Sequence, residues 1–526
     1  MLFNSYSFIF VFLPIVVLGL IWLRQRGHSA AVKCWLILAS FVFYGWWKLE
    51  YVPLLIGYIA FNYLVGRGLM MPGVPSRQRD ALVIAGVIAN LSVLGYFKYA
   101  YFFTTNLDVI LGTDFSIERI ALPLAISFIT FQKIAYLLDV RRGTIKSASL
   151  LDYTLFVTFF PQLIAGPIVL FQEIVPQFAR TFARRYDWRD LDIGLTIFVI
   201  GLFKKVMIAD TMAGWATPVF NAASAHEPVM TFFDAWGGVL AYTFQIYFDF
   251  SGYSDMAIGL ARMCGLKLPV NFASPYAANN IIEFWRRWHI TLSRFLRDHL
   301  YIALGGNRFG PRRQYLNIMI TMLLGGLWHG ANWTFVAWGG LHGLYLLVNH
   351  AWRAACRRWA GLARAPMPPL VTRSLTFLAV VVAWVFFRAD DFHAATVILS
   401  AMSGANGISL PHGLGPAIAE FAPWILSTGL HFDGVFTPGV FAGGFSGTVW
   451  LAAALLVVWY MPNTQTVMRD AEPALLLPVD PAHAARPIAA ALTWKPSITA
   501  ASLFAIVFAV SVLKLPSISE FIYFHF

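Results

Sequence analysis

The chain has 526 residues, of which 59% are hydrophobic, 16% aromatic and only 12% charged. This charged fraction is about half that of a soluble domain, so the composition excludes a soluble enzyme and predicts an all-α polytopic membrane protein. The net charge of +12 is concentrated in short loops between apolar runs, which is typical of cytoplasmic loops and argues against nucleic acid as a partner.

The apolar segments are too long for outer-membrane strands, so the spanning elements must be helices in contact with the lipid bilayer. Several are shorter than the ~20 residues that a full span needs, and we therefore expect about 11 spans plus re-entrant and interfacial helices. The segments are 7–23, 32–47, 52–70, 81–97, 119–138, 150–170, 191–209, 229–248, 315–328, 331–349, 373–387, 394–403, 447–461 and 497–513.

Basic residues set the expected orientation. Arg24, Arg67 and Arg141 begin basic loops after the first, third and fifth segments, and the positive-inside rule places these loops in the cytoplasm and both termini outside. The loop that follows segment 150–170 is also basic, so this segment should enter and leave on one side. Pro161 and the break expected at Ala165-Gly166-Pro167 fit such a re-entrant segment, which is tolerated only where protein shields it.

Asp249 and Asp255 lie in an apolar stretch, and Gly252 interrupts the pattern between them. Carboxylates at membrane depth need partners. One interpretation is structural pairing with a nearby cation such as Lys204, Lys205 or Arg286. The other is that one of the two carboxylates tunes a histidine.

Residues 281–301 are predicted to form one amphipathic helix, with apolar residues on one face and charged residues, including Arg287, on the other. His289 lies between Trp285 and Leu292 and should point to the apolar side. Two interpretations stay open: an interfacial helix that anchors the fold, or a site role for His289.

His329 lies in a stretch of 39 residues without Asp, Glu, Lys or Arg. Such a stretch can form two membrane-embedded arms with the histidine near their junction. A neutral imidazole there can take a proton from an alcohol that attacks a thioester. Asn332, tryptophan N–H groups such as that of Trp328, or backbone N–H groups near the glycines could stabilise the oxyanion. The alternative is a core histidine bound to a backbone carbonyl.

Other chemistries find little support. His329 and His342 have a spacing that could serve two haems, but no second segment supplies a matching pair. No cluster of His, Cys, Asp and Glu has metal-ligand spacing, so we expect no bound metal and no bound cofactor. His342 is interpreted as a packed helix histidine.

Four segments, 1–14, 247–261, 283–308 and 322–343, resemble the membrane-bound O-acyltransferase family, and the match is closest to its bacterial branch for alginate and other polysaccharides. The resemblance implies the family's ring of helices around a central funnel. We expect one acyltransferase domain over 1–526. Its motif-bearing core is 1–350, and its C-terminal spans, 351–526, include an outer loop at 404–446.

The family's invariant histidine corresponds to His329, and its second recurring histidine corresponds to His289, so the resemblance implies that both are catalytic. The supporting residues around substrate and oxyanion are expected to be Asn332, Trp328, Asp249, Asp255, Tyr253, Arg286 and Arg287.

The resemblance also implies an activity. Acetyl-CoA or another acyl thioester would be the cytoplasmic donor, as a substrate rather than a cofactor. The acetyl group would cross the bacterial inner membrane and O-acetylate an exported polysaccharide such as alginate or cellulose. A periplasmic esterase-like acetyltransferase and the polysaccharide export machinery would be partners, and both termini would be periplasmic. The competing hypothesis is a transporter or flippase for a glycan or lipid-linked precursor, with His329, Asp249 and Asp255 on a substrate or proton path.

Overall fold

A computed structural model gives the architecture of the protein for residues 1–114, 117–118, 120–225, 230–359, 367–422, 424, 430–437, 440–475 and 487–515. These residues are predominantly helical, which confirms the all-α class. They form two compact units. The first comprises Met1–Phe203, Ser251–Asn271 and the described residues from Thr464 onwards, and the second comprises Lys204–Phe250 and the described residues of Phe272–Asn463.

The first unit is built from helices, three of which are extended or preceded by π-helical turns. Its elements are Phe8–Phe12, Leu13–Gln25, Ser29–Gly45, Tyr51–Met70, Ser76–Leu94, Gly95–Tyr99, Ala100–Leu111, Ile126–Arg141, Leu150–Thr158, Phe160–Leu163, Phe171–Phe182, Trp188–Phe203, the end of Phe232–Met263, Thr464–Val467, Arg469–Ala471, Pro487–Ala491 and Ile498–Leu513.

Among the described residues, four helices are long and apolar enough to cross a membrane: Phe8–Gln25, Tyr51–Met70, Ser76–Leu111 and Pro369–Arg388. Four shorter helices are also apolar: Ser29–Gly45, Phe392–Met402, Gly444–Tyr460 and Ile498–Leu513. The chain is therefore a multi-pass membrane protein. Helix Ser76–Leu111 extends well beyond the predicted segment 81–97, because the polar residues 76–80 are helical and the π-helical turn Gly95–Tyr99 leads directly into helix Ala100–Leu111.

Segment 150–170 is broken where its sequence predicted a break. Helix Leu150–Thr158 ends, the short helix Phe160–Leu163 follows, and residues 164–170 are non-helical although most of them are buried. A helix of 9 residues rises only about 14 Å, less than half of the hydrocarbon core. This segment does not cross a bilayer as one helix.

Glycines bring two helices of the first unit into backbone contact. A Cβ atom on Gly194 would lie 2.6 Å from the carbonyl oxygen of Gly259, and one on Gly201 would lie 2.5 Å from that of Gly252. Small residues allow such close approach between membrane helices. Helix Phe232–Met263 runs through Gly252 without a break, so this glycine serves packing and does not end the helix.

The second unit carries the remaining elements, and its long helices surround the histidines discussed below. They are Lys204–Ala209, Asp210–Ala225, the start of Phe232–Met263, Pro275–Ala277, Ile281–Arg287, Ile290–Phe295, Leu296–Tyr301, Gly310–His329, Trp333–Arg358, Pro369–Arg388, Phe392–Met402, His412–Leu414, Gly415–Phe421 and Gly444–Tyr460.

The predicted outer loop at 404–446 contains regular structure. Strands Ile408–Ser409 and Leu430–His431 pair in parallel, with Ile408 opposite Leu430, and helix Gly415–Phe421 lies between them in the chain. Asp234 accepts hydrogen bonds from the backbone N–H groups of Thr231 and Thr437, which ties this region to the start of helix Phe232–Met263.

Lys133 is an unusual residue in the core of the first unit. Its side chain is fully buried in helix Ile126–Arg141. Its Nζ atom has no hydrogen-bond partner among the described residues and lies 4.6 Å from the centre of the Tyr58 ring. A cation–π contact offsets only part of the cost of removing an amine from water.

Lys133→Met should therefore raise the free energy of unfolding by about 1–3 kcal/mol, because it keeps the length of the side chain and removes the amine. The shift of the thermal unfolding midpoint in detergent measures this. Lys205→Met is the matched control: it breaks a buried ion pair with Asp249, 2.8 Å long, and should lower the unfolding free energy by about 3–5 kcal/mol. Equal destabilisation by both variants would contradict the prediction.

Candidate active site

The two arms predicted around His329 form a tight helical hairpin. Helix Gly310–His329 ends at the histidine, and helix Trp333–Arg358 begins after a short turn. The arms are antiparallel and touch through glycine: a Cβ atom on Gly326 would lie 2.2 Å from the carbonyl oxygen of Phe335 and 3.2 Å from the Cα of Gly339. The predicted hairpin is confirmed, and it fixes His329 at the turn.

Aromatic rings enclose the His329 side chain. Its ring centre lies 4.9 Å from that of Trp328, 5.1 Å from that of Trp338 and 5.2 Å from that of Phe387. His329 keeps 4% of its surface exposed, whereas His289 and His342 keep none. All three histidines are therefore buried, and His329 is the least completely enclosed of them.

His289 lies beside His329, with 6.4 Å between the two ring centres. Phe250 packs edge-on against His289 at 4.8 Å, and Phe272 packs on it at 6.4 Å. The predicted position of His289 on the apolar side is confirmed by its complete burial. The fold brings the two histidines together although they are far apart in the chain.

The expectation of one continuous helix over 281–301 is wrong. Helix Ile281–Arg287 ends at Trp288, whose backbone is extended, and Ile290–Phe295 starts a new helix. His289, between them, has φ +43° in the left-handed region, a conformation that costs a residue other than glycine about 1–2 kcal/mol. Hydrophobic periodicity cannot reveal a reversal at a single residue.

This backbone conformation has a consequence for the site. A helix that continued through His289 would present its ring along the same face as Trp285 and Leu292. The left-handed residue turns the chain instead, so that the ring enters the aromatic cluster next to His329. Strained residues of this kind persist where the surroundings fix them, and they are frequent at active sites.

Asn332 and Trp328 flank the histidine in different ways. The Asn332 side-chain oxygen accepts the backbone N–H of Thr334 and caps helix Trp333–Arg358, and its amide donates to the carbonyl of Asp390 at 2.7 Å. In this structure its amide group therefore holds the turn in shape. Trp328 is buried, 6.3 Å from the ring centre of His289.

Asp249 pairs with a cation, as the structural interpretation predicted. Lys205 Nζ lies 2.8 Å from Asp249 Oδ1 and 2.7 Å from Asp210 Oδ1. Asp255 and Tyr253 belong to the first unit. There the Asp255 carboxylate accepts hydrogen bonds from the Thr464 hydroxyl at 2.6 Å and the Gln465 amide at 3.0 Å.

Tyr253 stacks on Phe3 at 4.6 Å within the first unit. Arg286 is exposed at the end of helix Ile281–Arg287. Arg287 pairs with Glu283 one turn earlier, at the i, i+4 spacing that is favourable on a helix. None of these contacts involves His329.

His342 is packed as the sequence suggested. Its ring stacks on Phe284 at 5.9 Å and contacts Trp285 and Trp338 at 5.1 and 4.8 Å. Neither of its nitrogens has a hydrogen-bond partner among the described residues.

The aromatic neighbours of the histidine pair that were not foreseen include Trp338, Phe387 and Phe250. Trp338 lies 9 positions after His329. Its contact with His329 could have been inferred from the sequence if the length of the hairpin turn had been known. For Phe387 and Phe250 the sequence holds no local signal, since they come from other helices. The assembled site consists of two buried imidazoles and a wall of aromatic rings.

Comparison with known proteins decides the family. The family model for MBOAT, membrane-bound O-acyltransferases, matches residues 85–387, a range that includes both histidines. The chain belongs to this family. The resemblance found in the four sequence segments is thereby confirmed.

Individual relatives agree with this assignment. The chain is 45% identical over 447 residues to the peptidoglycan O-acetyltransferase of Helicobacter pylori, covering 80% of this chain and 83% of that protein. It is 45% identical over 409 residues to a probable alginate O-acetylase of Pseudomonas aeruginosa, covering 76% and 75%. A teichoic acid D-alanyltransferase of Streptococcus thermophilus is 30% identical over 236 residues, 44% of this chain and 57% of that protein. This MBOAT protein is an O-acyltransferase.

Proposed function

We propose that this O-acyltransferase moves an acetyl group from acetyl-CoA, presented in the cytoplasm, to hydroxyl groups of an exported polysaccharide. The observation that carries the proposal is the pairing of two buried histidines, His329 and His289, with 6.4 Å between their ring centres. The match to O-acetyltransferases of peptidoglycan and alginate supports the acetyl group and a glycan acceptor.

His329 is proposed as the general base. Its imidazole takes the proton of the acceptor hydroxyl while the oxygen attacks the thioester carbonyl carbon. The tetrahedral intermediate then expels the thiolate, which takes the proton from the imidazolium, so the reaction needs no metal and no redox partner. His289, at the back of the aromatic cluster, is proposed as the second catalytic histidine.

Donors for the oxyanion come from the same turn. Backbone N–H groups near Gly330 and the indole of Trp328 are proposed for this role. Asn332 contributes through the turn that it caps, and Arg286 and Arg287 are proposed to attract the anionic donor. Asp249, Asp255 and Tyr253 support the architecture from within their own units.

The proposed setting is the bacterial inner membrane. About 11 spans with re-entrant and interfacial helices would form the family's ring around a funnel, as one acyltransferase domain with both termini in the periplasm. A periplasmic esterase-like acetyltransferase and the polysaccharide export machinery are the proposed partners, and the partner would complete delivery to the sugar.

The decisive experiment uses purified protein in lipid vesicles. Acetyl-labelled acetyl-CoA is supplied on one side, and alginate, cellulose oligomers or peptidoglycan fragments on the other, with and without the periplasmic partner. Label bound as an alkali-labile ester to the glycan is the expected result. A thioether analogue of acetyl-CoA, which cannot transfer its acyl group, is the control.

Two outcomes would overturn the proposal. Glycan that crosses the membrane without gaining an ester would favour a transporter. Ester formed from a carrier-protein thioester but not from acetyl-CoA would show that acetyl-CoA is not the acyl donor.

A further inference from the structure

A group of three buried charged residues lies within the second unit, near the histidine pair. Lys205 sits between two carboxylates, 2.7 Å from Asp210 Oδ1 and 2.8 Å from Asp249 Oδ1. The exposed fractions of the three side chains are 2%, 5% and 1%. We call these residues the Lys205 triad.

The sequence of the π-helical turn explains how the triad forms. Lys204–Ala209 is π-helical and leads directly into helix Asp210–Ala225. In a π-helix, residues five apart are aligned on one side, which places Lys205 and Asp210 together. Such turns are rare and frequently occur at functional sites. Asp249 comes from a different helix, Phe232–Met263, so the triad ties two helices to each other.

Stability alone does not account for this arrangement. The attraction between buried charges is largely offset by the loss of their hydration, and apolar residues of similar volume often stabilise a fold as well or better. A buried ion pair does, however, fix one register between the helices that it joins, because any slip would leave a charge without its partner.

The register fixed by the triad bears on His289. Asp249 is followed directly by Phe250, and consecutive helix residues point about 100° apart. The Asp249 side chain therefore faces Lys205, whereas the Phe250 ring faces His289. The Phe250 ring meets the His289 ring at 4.8 Å and 89°, and it also meets Phe272 at 4.9 Å. Together, Phe250 and Phe272 form the wall against which His289 rests.

We propose that Lys205, Asp210 and Asp249 are positioning residues for acyl transfer, acting through Phe250 to set the orientation of the His289 ring beside His329. This inference rests on the function proposed above. The triad touches neither donor nor acceptor in this proposal. It holds the turn of helix Phe232–Met263 that presents the aromatic wall.

The test compares kcat, KM for acetyl-CoA and the thermal midpoint in purified variants. The triple variant Lys205→Met, Asp210→Leu, Asp249→Leu replaces the triad by apolar groups of similar size, so that no charge is left buried alone. We expect it to fold, to retain KM within about twofold and to lose about tenfold to a hundredfold in kcat, the range expected for misplaced groups. The single variant Asp249→Glu, which keeps the negative charge, should retain a larger part of the wild-type kcat than the triple variant does.

A second measurement isolates the route through Phe250. Phe250→Leu alone should lower kcat to a similar extent, and adding Lys205→Arg to it should cause little further loss, since both changes act on the same contact. Fully additive losses would overturn the route. This comparison relies on conservative variants and stands even if the triple variant does not fold.

The matched control is an ion pair of the first unit whose side chains are largely buried, Arg262 with Asp190 at 2.9 Å. Arg262→Met should lower the thermal midpoint and leave kcat per folded molecule unchanged. A folded triple variant with wild-type kcat would show that the Lys205 triad is purely structural. If the wild-type protein itself transfers no acetyl group, the proposed function fails. If the wild type is active and the triple variant is equally active, only the positioning role of the Lys205 triad fails.

Discussion

His329→Ala is expected to lower kcat for acetyl transfer by about 10²–10⁴-fold, because it removes the group proposed to take the hydroxyl proton. Its ring packs against Trp328, Trp338 and Phe387, and His329→Gln should therefore be made in parallel to limit the loss of packing. The measurement is ester-bound label per folded protein in vesicles. In cells, the polymer should still be secreted but should carry no O-acetyl ester.

The same hairpin offers a matched control. His342→Phe keeps a ring of similar shape and removes two nitrogens that have no hydrogen-bond partner among the described residues. Such a replacement should leave stability nearly unchanged or improved, and kcat should stay close to that of the wild type. Retained activity in His329→Ala and His329→Gln would reject the general base. Loss of polymer secretion with normal acetylation of the remaining polymer would favour transport.

Gly339→Ala should be the most damaging small substitution in the hairpin. Its new Cβ atom would lie 2.3 Å from the backbone carbonyl oxygen of Met322, and a backbone oxygen cannot move aside as a flexible side chain can. The arms must separate, at a cost of about 3 kcal/mol. Because His329 sits at the turn that joins the arms, kcat should fall by about a hundredfold even in the folded fraction.

Gly340→Ala provides the comparison one residue away. There the new Cβ atom would meet only the Leu323 side chain at 3.5 Å, which is ordinary contact. Since alanine also favours a helix more than glycine does, stability should stay within about 0.5 kcal/mol of wild type or rise slightly. Thermal midpoints of the two variants in the same detergent provide the measurement. Similar midpoints would show that the arms are not in backbone contact.

The hairpin around His329 and the burial of His289 could be predicted because their causes are local. A long stretch without charge, interrupted by glycines, can be folded into two arms by counting residues against the bilayer thickness. The burial of His289 followed from apolar neighbours one turn away on either side. Helix-forming segments and basic loops carry the same kind of local information, and the all-α class followed from them.

The prediction for residues 281–301 failed where local information ended. The apolar period of these residues fits a single helix, and no residue type in Trp288-His289-Ile290 marks a left-handed position. The break exists because the surrounding aromatic side chains hold His289 at φ +43° against a local preference for helix. Tertiary packing overrides propensity in such cases.

The sequence thus indicated which imidazole lies at a turn and which carboxylates need partners. Only the tertiary structure shows that His289 lies beside His329 and that Asp249 pairs with Lys205. It also shows that Phe250 packs against His289 and Phe387 against His329. The physical reason is that the hydrophobic effect is non-directional: it favours removal of an apolar side chain from water but does not select the partner. Which partner it meets depends on close packing between helices distant in sequence.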